Sequence, residues 1–315
     1  MANTPDPAVG TPLRVAFALM LAVLAIAPFA VYPVFPMKVM CFALFACAFN
    51  LLLGFGGLMS FGHAMFFGTA GYVCAHATKA WGLQPEFALL LGIAAAVLLG
   101  GAVGMIAIRR QGIYFAMITL ALSQMVYFFY LQAPFTFGED GIQNVPRGRL
   151  FGLIDLSNIM AMYFVVFAIF VAGFLVIYRV IHSPFGQVLK TIRENEMRAI
   201  SLGYDVNRYK LLAFLLSAAL AGVAGSIKAL VFGLASLTDV HFSMSGEVVL
   251  MTLLGGLGTI FGPVVGALII VGMENYFARL GSWVTVAQGG MFIICVLAFR
   301  RGVIGEISHY LKKPL

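Results

Sequence analysis

Charge is what this sequence has least of. Asp, Glu, Lys and Arg make up 10 % of its 315 residues against 62 % hydrophobic, where a soluble globular domain carries about 25 % charged residues. With a mean hydropathy of +1.01, that scarcity excludes a soluble enzyme or binding module and predicts a chain folded within a bilayer. Sequence motifs for chemistry are missing too. No GxxxxGK[ST] stretch could wrap ATP phosphates, and neither HExxH nor GxSxG occurs, so no P-loop, zinc-peptidase or serine-hydrolase chemistry is expected. The cysteines Cys41, Cys47, Cys74 and Cys295 lie inside apolar runs without a CxxC pair. They read as small buried side chains, with no metal site or disulfide framework. A net charge of +7 could suit nucleic acid, but the basic residues sit at the ends of apolar runs, where membrane orientation accounts for them.

Apolar runs occur at about 14–32, 37–55, 60–78, 85–108, 111–132, 157–181, 208–234, 247–277 and 283–299. Most approach the ~20 residues that a membrane-spanning helix needs, and in lipid the backbone must bond internally. The fold class is therefore all-α: one polytopic membrane helical bundle over 14–315, after a short polar tail over 1–13. Arg109, Arg110 and the basic segment after 181 share one side if each intervening run crosses once, which makes that side cytoplasmic. The loop 133–156 then lies outside. Single crossings thereafter would strand Arg300, Arg301, Lys312 and Lys313 outside. Gly255, Gly256, Gly258 and Pro263 interrupt the segment 247–276, so two short helices are expected there. That gives about ten transmembrane or partly re-entrant helices, with both termini inside.

The stretch "HSPFGQVLKTIRENEMRAISLGYDVNRYK", 182–210, gathers charge that the rest avoids. Ser183 and Pro184 read as an N-cap and first helical residue, and Gly203 as a left-handed stop, so one helix is expected over about 184–202. Lys190, Glu194 and Arg198 fall at steps of four and form a charged row. Such a helix lies at the membrane surface. Anionic lipid would favour a uniformly basic polar face, whereas mixed charge beside Phe185 suits a protein partner. Asp205 or Asn207 can cap the next span, Arg208 and Lys210 would reach the headgroups, and Lys228 would snorkel.

"IRENEMRAISLGYDVNRYKLLAFLLSAALAGVAGSI" resembles the cytoplasmic loop and following helix of permease subunits of ATP-binding-cassette importers for branched-chain amino acids, the LivM type. "NLLLGFGGLMSFGHAMFFGTAGY" (50–72), "QGIYFAMITLALSQM" (111–125), "GEDGIQNVPRG" (138–148) and "LMTLLGGLGTIFGPVVGALII" (250–270) resemble that family's other stretches in order and spacing. The resemblance implies a type II importer-like permease in a bacterial inner membrane. It makes 184–203 a coupling helix seated on an ATPase subunit, with Arg193, Glu194, Glu196, Arg198, Ala199 and Gly203 as coupling residues. It also implies two cytoplasmic ATPase subunits that hold ATP and Mg, a second related permease completing a heterodimer, and a periplasmic binding protein. Met197 stands where the wider superfamily's EAA pattern has its glycine. Phe137 and Asn144 replace glycines of the family's outer-loop pattern. Similar permeases serve urea, amides, other amino acids and aromatic acids.

Polar residues inside the apolar runs need partners. Asn50, Ser60, His63, Ser123, Gln124, Glu247 and Thr252 either tie helices together or line a translocation path. The recurrent small residues Gly258, Gly262 and Gly266, and Ala218, Gly222 and Ser226, read first as close helix packing. In the outer loop Glu139, Asp140 and Arg147 are candidates to meet the binding protein. An ion- or proton-coupled secondary transporter is the rival reading, but it calls for intramembrane carboxylates, and only Glu247 and Glu274 come near. A channel would need a filter or charged ring, and none is readable.

Overall fold

The computed structural model describes residues 7–152 and 154–277, with positions 286, 289, 290, 293 and 302–306. Helices form wherever the apolar runs leave the backbone no other partner. They are α1 (Pro7–Ala30), α2 (Val34–Asn50), α3 (His63–Lys79), α4 (Pro85–Ala107), α5 (Ile113–Gln132), α6 (Ile159–His182), α7 (Pro184–Glu194), α8 (Glu196–Ser201), α9 (Val206–Phe232), α10 (Phe242–Gly255) and α11 (Gly262–Phe277). Their ends follow local chemistry. Pro85 opens α4, Asn158 accepts from the Met160 N–H at the start of α6, and Gly233, with φ 64°, closes α9 in the left-handed region. At the LLLGF stretch, just ahead of Gly56 and Gly57, α2 passes into a π-helix, Leu51–Phe55.

The core is built around α2, α3 and α9. From Met37 to Asn50 only Lys38 of α2 escapes burial, as an all-round apolar helix should at the centre of a bundle. Small residues set how close its neighbours come. Ala218, Gly222 and Ser226 of α9 lie against Gly100, Ala96 and Gly92 of α4, in antiparallel register. A Cβ on Gly100 would sit 2.8 Å from that of Ala218, and one on Gly222 2.8 Å from that of Ala96. The opposite side of α9 meets α3, where a Cβ on Gly225 would overlap the Phe67 carbonyl. Outside this core α1, α4, α5 and α6 expose apolar side chains such as Leu19, Leu98, Met117 and Phe164, as a lipid-facing ring does.

The expected break in 247–276 is present. Gly256 and Gly258 adopt φ 124° and 74° between α10 and α11. The two helices, of 14 and 16 residues, are roughly 21 and 24 Å long at 1.5 Å per residue, short of the ~30 Å hydrocarbon core. They form an antiparallel hairpin in which Gly266 lies on Met251 and Gly262 on Gly255. Its turn lies on the face that carries α7. Glu274, near the far end of α11, pairs with Lys38 near the start of α2. Gly302 packs on Gly256, so the chain is back at the α7 face by that residue. The apolar run 283–299 lies almost entirely outside the described residues, as do Cys295 and the basic C-terminal residues.

Several expectations need correction. α1 begins at Pro7, inside the segment 1–13 read as a tail. The helix expected over 184–202 is two helices, because Asn195 is extended (φ −156°) and its side chain caps α8 by accepting from the Arg198 N–H. An asparagine that can bond locally competes with the helix interior, so Arg198 leaves the row of Lys190 and Glu194. Lys210 does not reach headgroups and Lys228 does not snorkel. Each is paired with a carboxylate inside the protein, Glu196 at 2.7 Å and Asp239 at 2.5 Å.

The loop 133–156 is fastened to the bundle rather than merely solvated. Strand β1 (Ile142–Gln143) pairs antiparallel with β4 (Leu234–Ala235), which follows α9, while β2 (Arg149–Leu150) pairs with β3 (Ile154–Asp155). The Ser157 backbone N–H donates to Asp155 and holds its carboxyl below the usual carboxylate range. Phe137 and Asn144, which stand in place of glycine, have φ 60° and 55°. The left-handed geometry survives without the residue that adopts it freely, at a cost of about 1–2 kcal/mol for Phe137. Gly141 has no such freedom: φ is 66°, and a Cβ would enter the Ala235 carbonyl. Gly141→Ala is expected to unpair β1 from β4. Limited proteolysis should then cut near 138–148 at least several-fold faster than in the unsubstituted protein, and equal rates would refute the point.

Candidate functional site

Two helices outside the bundle, α7 and α8, bring Lys190, Arg193, Glu194, Glu196 and Arg198 close together in sequence. Ser183 accepts from the Gly186 N–H and Pro184 opens α7. Val188, Ile192 and Ala199 form a small core with Val206 and Tyr209, distinct from that of the bundle. Leu189, fully buried, belongs instead to the main core. This face sits on the π-helix: Leu189 approaches Gly56, and Lys190 lies over the Phe55 ring at 5.7 Å. Arg193 is an exposed residue overall, yet its guanidinium reaches inward. Its Nη1 donates to the Gly54 carbonyl and its stem crosses Gly57, where a Cβ would come within 3.0 Å of Cγ.

Glu196 also turns inward. It accepts from Lys210 Nζ at 2.7 Å and from Gln111 Nε2 at 2.9 Å, which ties α8 to α9 and to the α4–α5 connection. Ala199 is fully buried, and Gly203 takes φ 87° to end the pair. Glu194 and Arg198 point outward, together with Met197, which is 71 % exposed, and Ile200, Leu202 and Tyr204. Thus Glu194 and Arg198 share an outer surface, while Arg193 and Glu196 join that surface to the bundle. Nothing in helical spacing marks this division, since it depends on the break at Asn195.

Within the bundle the candidate path residues separate into groups. Asn50 donates to the Thr259 carbonyl at 2.8 Å and accepts from the Gly258 N–H at 3.1 Å, so its amide joins α2 to the α10–α11 turn. Thr252 donates to the Val248 and Val249 carbonyls of its own helix, and Ser60 accepts from the Gly62 N–H. His63 is fully buried, edge-on to Phe49, Phe66 and Phe214. Ser217 donates to the Ala48 carbonyl at 2.5 Å, so Nε2 of His63, 2.7 Å from the same hydroxyl, must donate to it. The neutral ring then presents Nδ1 as an acceptor, and it has no partner among the described residues. Ser123 is likewise buried without a partner.

Gln124 and Glu247 differ from these, being only half-buried. They stand on α5 and α10, which meet where Tyr127 packs edge-on to His241, with centroids 5.1 Å apart. Gln124 lies about one turn, and Glu247 nearly two turns, along its helix from that contact. Charged neighbours of Glu247 are Glu274, Lys38 and Asp239. At the α7 end a cavity of about 430 Å³ opens between the 57–61 segment and the start of α5, lined by Leu58, Met59, Phe61, Ile113, Phe115 and Ala116 among others.

On the opposite face Glu139 and Asp140 are exposed. Arg147 is partly withdrawn, donating from Nη2 to the Val231 carbonyl at 2.8 Å near the end of α9. Together with the β1–β4 pairing this anchors the loop 133–156 to α9.

Comparison with known proteins gives a consistent result. Residues 35–297 match the family described as the permease component of the branched-chain amino acid transport system. The chain is 27 % identical over 296 residues to the high-affinity branched-chain amino acid transport system permease protein LivM of Escherichia coli, covering 87 % of this chain and 70 % of that one. It is 25 % identical over 168 residues to the Pseudomonas aeruginosa permease BraD, 51 % of this chain and 54 % of that one. A shorter stretch of 122 residues is 29 % identical to the xylose transport system permease XylH of Haemophilus influenzae, 36 % and 32 % of the two chains. No solved structure gives a significant match.

Proposed function

The chain belongs to the family of branched-chain amino acid transport permeases, and on that footing we propose that it forms half of the translocation path of an ATP-driven importer for branched-chain or related amino acids. A second related permease would complete the path as a heterodimer. Two cytoplasmic ATPase subunits would hold ATP and Mg, and a periplasmic binding protein would deliver the substrate. The α7 face is then cytoplasmic, the membrane is the bacterial inner membrane, and lipid surrounds the outer ring. The family gives the ion-coupled alternative no support.

The observation that carries this reading is the division of labour in α7 and α8. Their outer surface offers Glu194, Met197, Arg198 and Ile200 to a partner, and their inner surface is bonded to the bundle through Arg193 and Glu196. Exposed apolar side chains ringed by both signs of charge suit a protein surface better than anionic lipid. On the far face Glu139 and Asp140 remain open to a binding protein, whereas Arg147 serves the loop itself. For the path, Gln124 and Glu247 are the best placed, because they are partly exposed on adjoining helices and make no hydrogen bond among the described residues.

The test is uptake into liposomes holding the whole complex. Uptake of a branched-chain amino acid should require internal or external ATP on the side of the ATPase subunits, and should ignore an imposed proton or sodium gradient. Gradient-driven uptake without ATP would overturn the assignment. Met197→Asp places a charge at the centre of the docking surface and should reduce co-purification of the ATPase subunits roughly tenfold or more, while the permease still inserts. Undiminished co-purification would remove α8 from the contact.

A further inference from the structure

Arg193 touches three glycines at once. Its guanidinium donates to the Gly54 carbonyl in the π-helix, its stem covers Gly57, and a Cβ at Gly258 would lie 3.4 Å from its Nη1. The first two belong to the end of α2, and the third is the turn between α10 and α11. Asn50 already bonds that turn to α2 through Gly258 and Thr259, and Gly54 allows the approach, since a Cβ there would enter the Asn50 amide. The last turn of α7 therefore rests on a compact junction of two interrupted helices.

The chemistry suits a transmitted load. The carbonyls at the end of a helix lack intrahelical partners and carry partial negative charge. A guanidinium bonded to one of them is a charge-assisted contact, stronger than a neutral hydrogen bond. The other α7 contacts with this junction, Leu189 on Gly56 and Lys190 over Phe55, are apolar or cation–π and can slide. Arg193 supplies the directional bond. Both elements it grips depart from regular α-helix, as a π-helix and as a glycine turn, and such departures are where helices bend.

We infer that Arg193 is a positioning residue which carries displacement of the α7–α8 pair into the end of α2 and the α10–α11 turn, instead of contacting the ATPase. The inference rests on the importer reading above and assigns one residue's direction of action within it.

Arg193→Met tests it, because methionine keeps the stem over Gly57 and removes every N–H donor. In the reconstituted complex the ATPase subunits should co-purify at the unsubstituted ratio, while amino acid taken up per ATP hydrolysed falls about tenfold. Arg193→Lys, which restores one donor and the charge, should recover part of that ratio. Gln187→Ala, at an exposed position on the same helix, should leave it unchanged. Loss of the ATPase subunits from the methionine variant would make Arg193 a docking contact and overturn the inference. So would an unchanged uptake-to-hydrolysis ratio. If the methionine variant is not recovered from membranes, the lysine variant is judged by the same measurements: a ratio below that of the unsubstituted complex with normal co-purification supports the inference, and an unchanged ratio overturns it. ATP-independent uptake by the unsubstituted complex would remove the importer reading, and this inference with it.

Discussion

Gly266→Leu is expected to leave no folded permease. A Cβ at Gly266 would fall on the Met251 carbonyl, and its next neighbour is the Gly255 backbone nitrogen. These are backbone atoms, so no side-chain rotamer can make room. The two helices must separate, and the Gly255–Gly262 contact and the Asn50 bonds to the turn are strained together. Overpacking alone costs about 1–3 kcal/mol, and parting the hairpin adds the loss of packed helix surface, against a total stability of roughly 5–15 kcal/mol for a typical domain. Membrane yield and gel-filtration behaviour in mild detergent measure the outcome. Gly272→Leu is the comparison, since nothing lies within 4 Å of a Cβ at that position of the same helix. Equal recovery of the two variants would refute close backbone packing as the reason for glycine at 266.

Lys228→Met has the second largest expected effect. The Lys228 ammonium lies 2.7 and 2.5 Å from the two Asp239 oxygens, with the side chains 13 % and 8 % exposed. Removing the lysine strands a buried carboxylate, which costs about 3–5 kcal/mol, whereas removing both charges costs far less. Thermal unfolding in detergent should therefore show Lys228→Met much less stable, and Lys228→Met combined with Asp239→Asn partly restored. Asn retains an acceptor for the Ser236 N–H that Asp239 now serves. Strictly additive losses in the double variant would mean that the pair is not energetically coupled. Raising salt should change these values little, because screening acts weakly on a buried pair.

These two sites also mark what could be read in advance. The interruption in 247–276 was legible from Gly255, Gly256, Gly258 and Pro263, and the small residues at 218, 222 and 226 announced close packing. Their partners were not legible. Gly92, Ala96 and Gly100 carry the same four-residue spacing on α4, yet spacing alone cannot say which stripe meets which. Lys210 and Lys228 looked like interfacial lysines because their partners, Glu196 and Asp239, come from outside their own helix. Asn50 was recognisable as a polar group in need of a partner, but the partner lies 208 residues along the chain. Ser183, Asp205 and Gly203 were legible as helix punctuation because capping depends on neighbours in sequence. The break at Asn195 was missed, since asparagine inside a helical pattern signals only a weak preference. The direction in which each of Arg193, Glu194, Glu196 and Arg198 faces depends on that break.

The short hairpin of α10 and α11 also bears on biogenesis. Neither helix is long enough to cross the hydrocarbon core as an isolated span, and the glycine turn between them carries backbone groups that lipid cannot satisfy. Asn50 and Arg193 supply or border those missing partners, and both belong to earlier segments of the chain. The hairpin is therefore a late arrival, one that becomes stable in the bilayer only after α2 and α7 are in place to receive it.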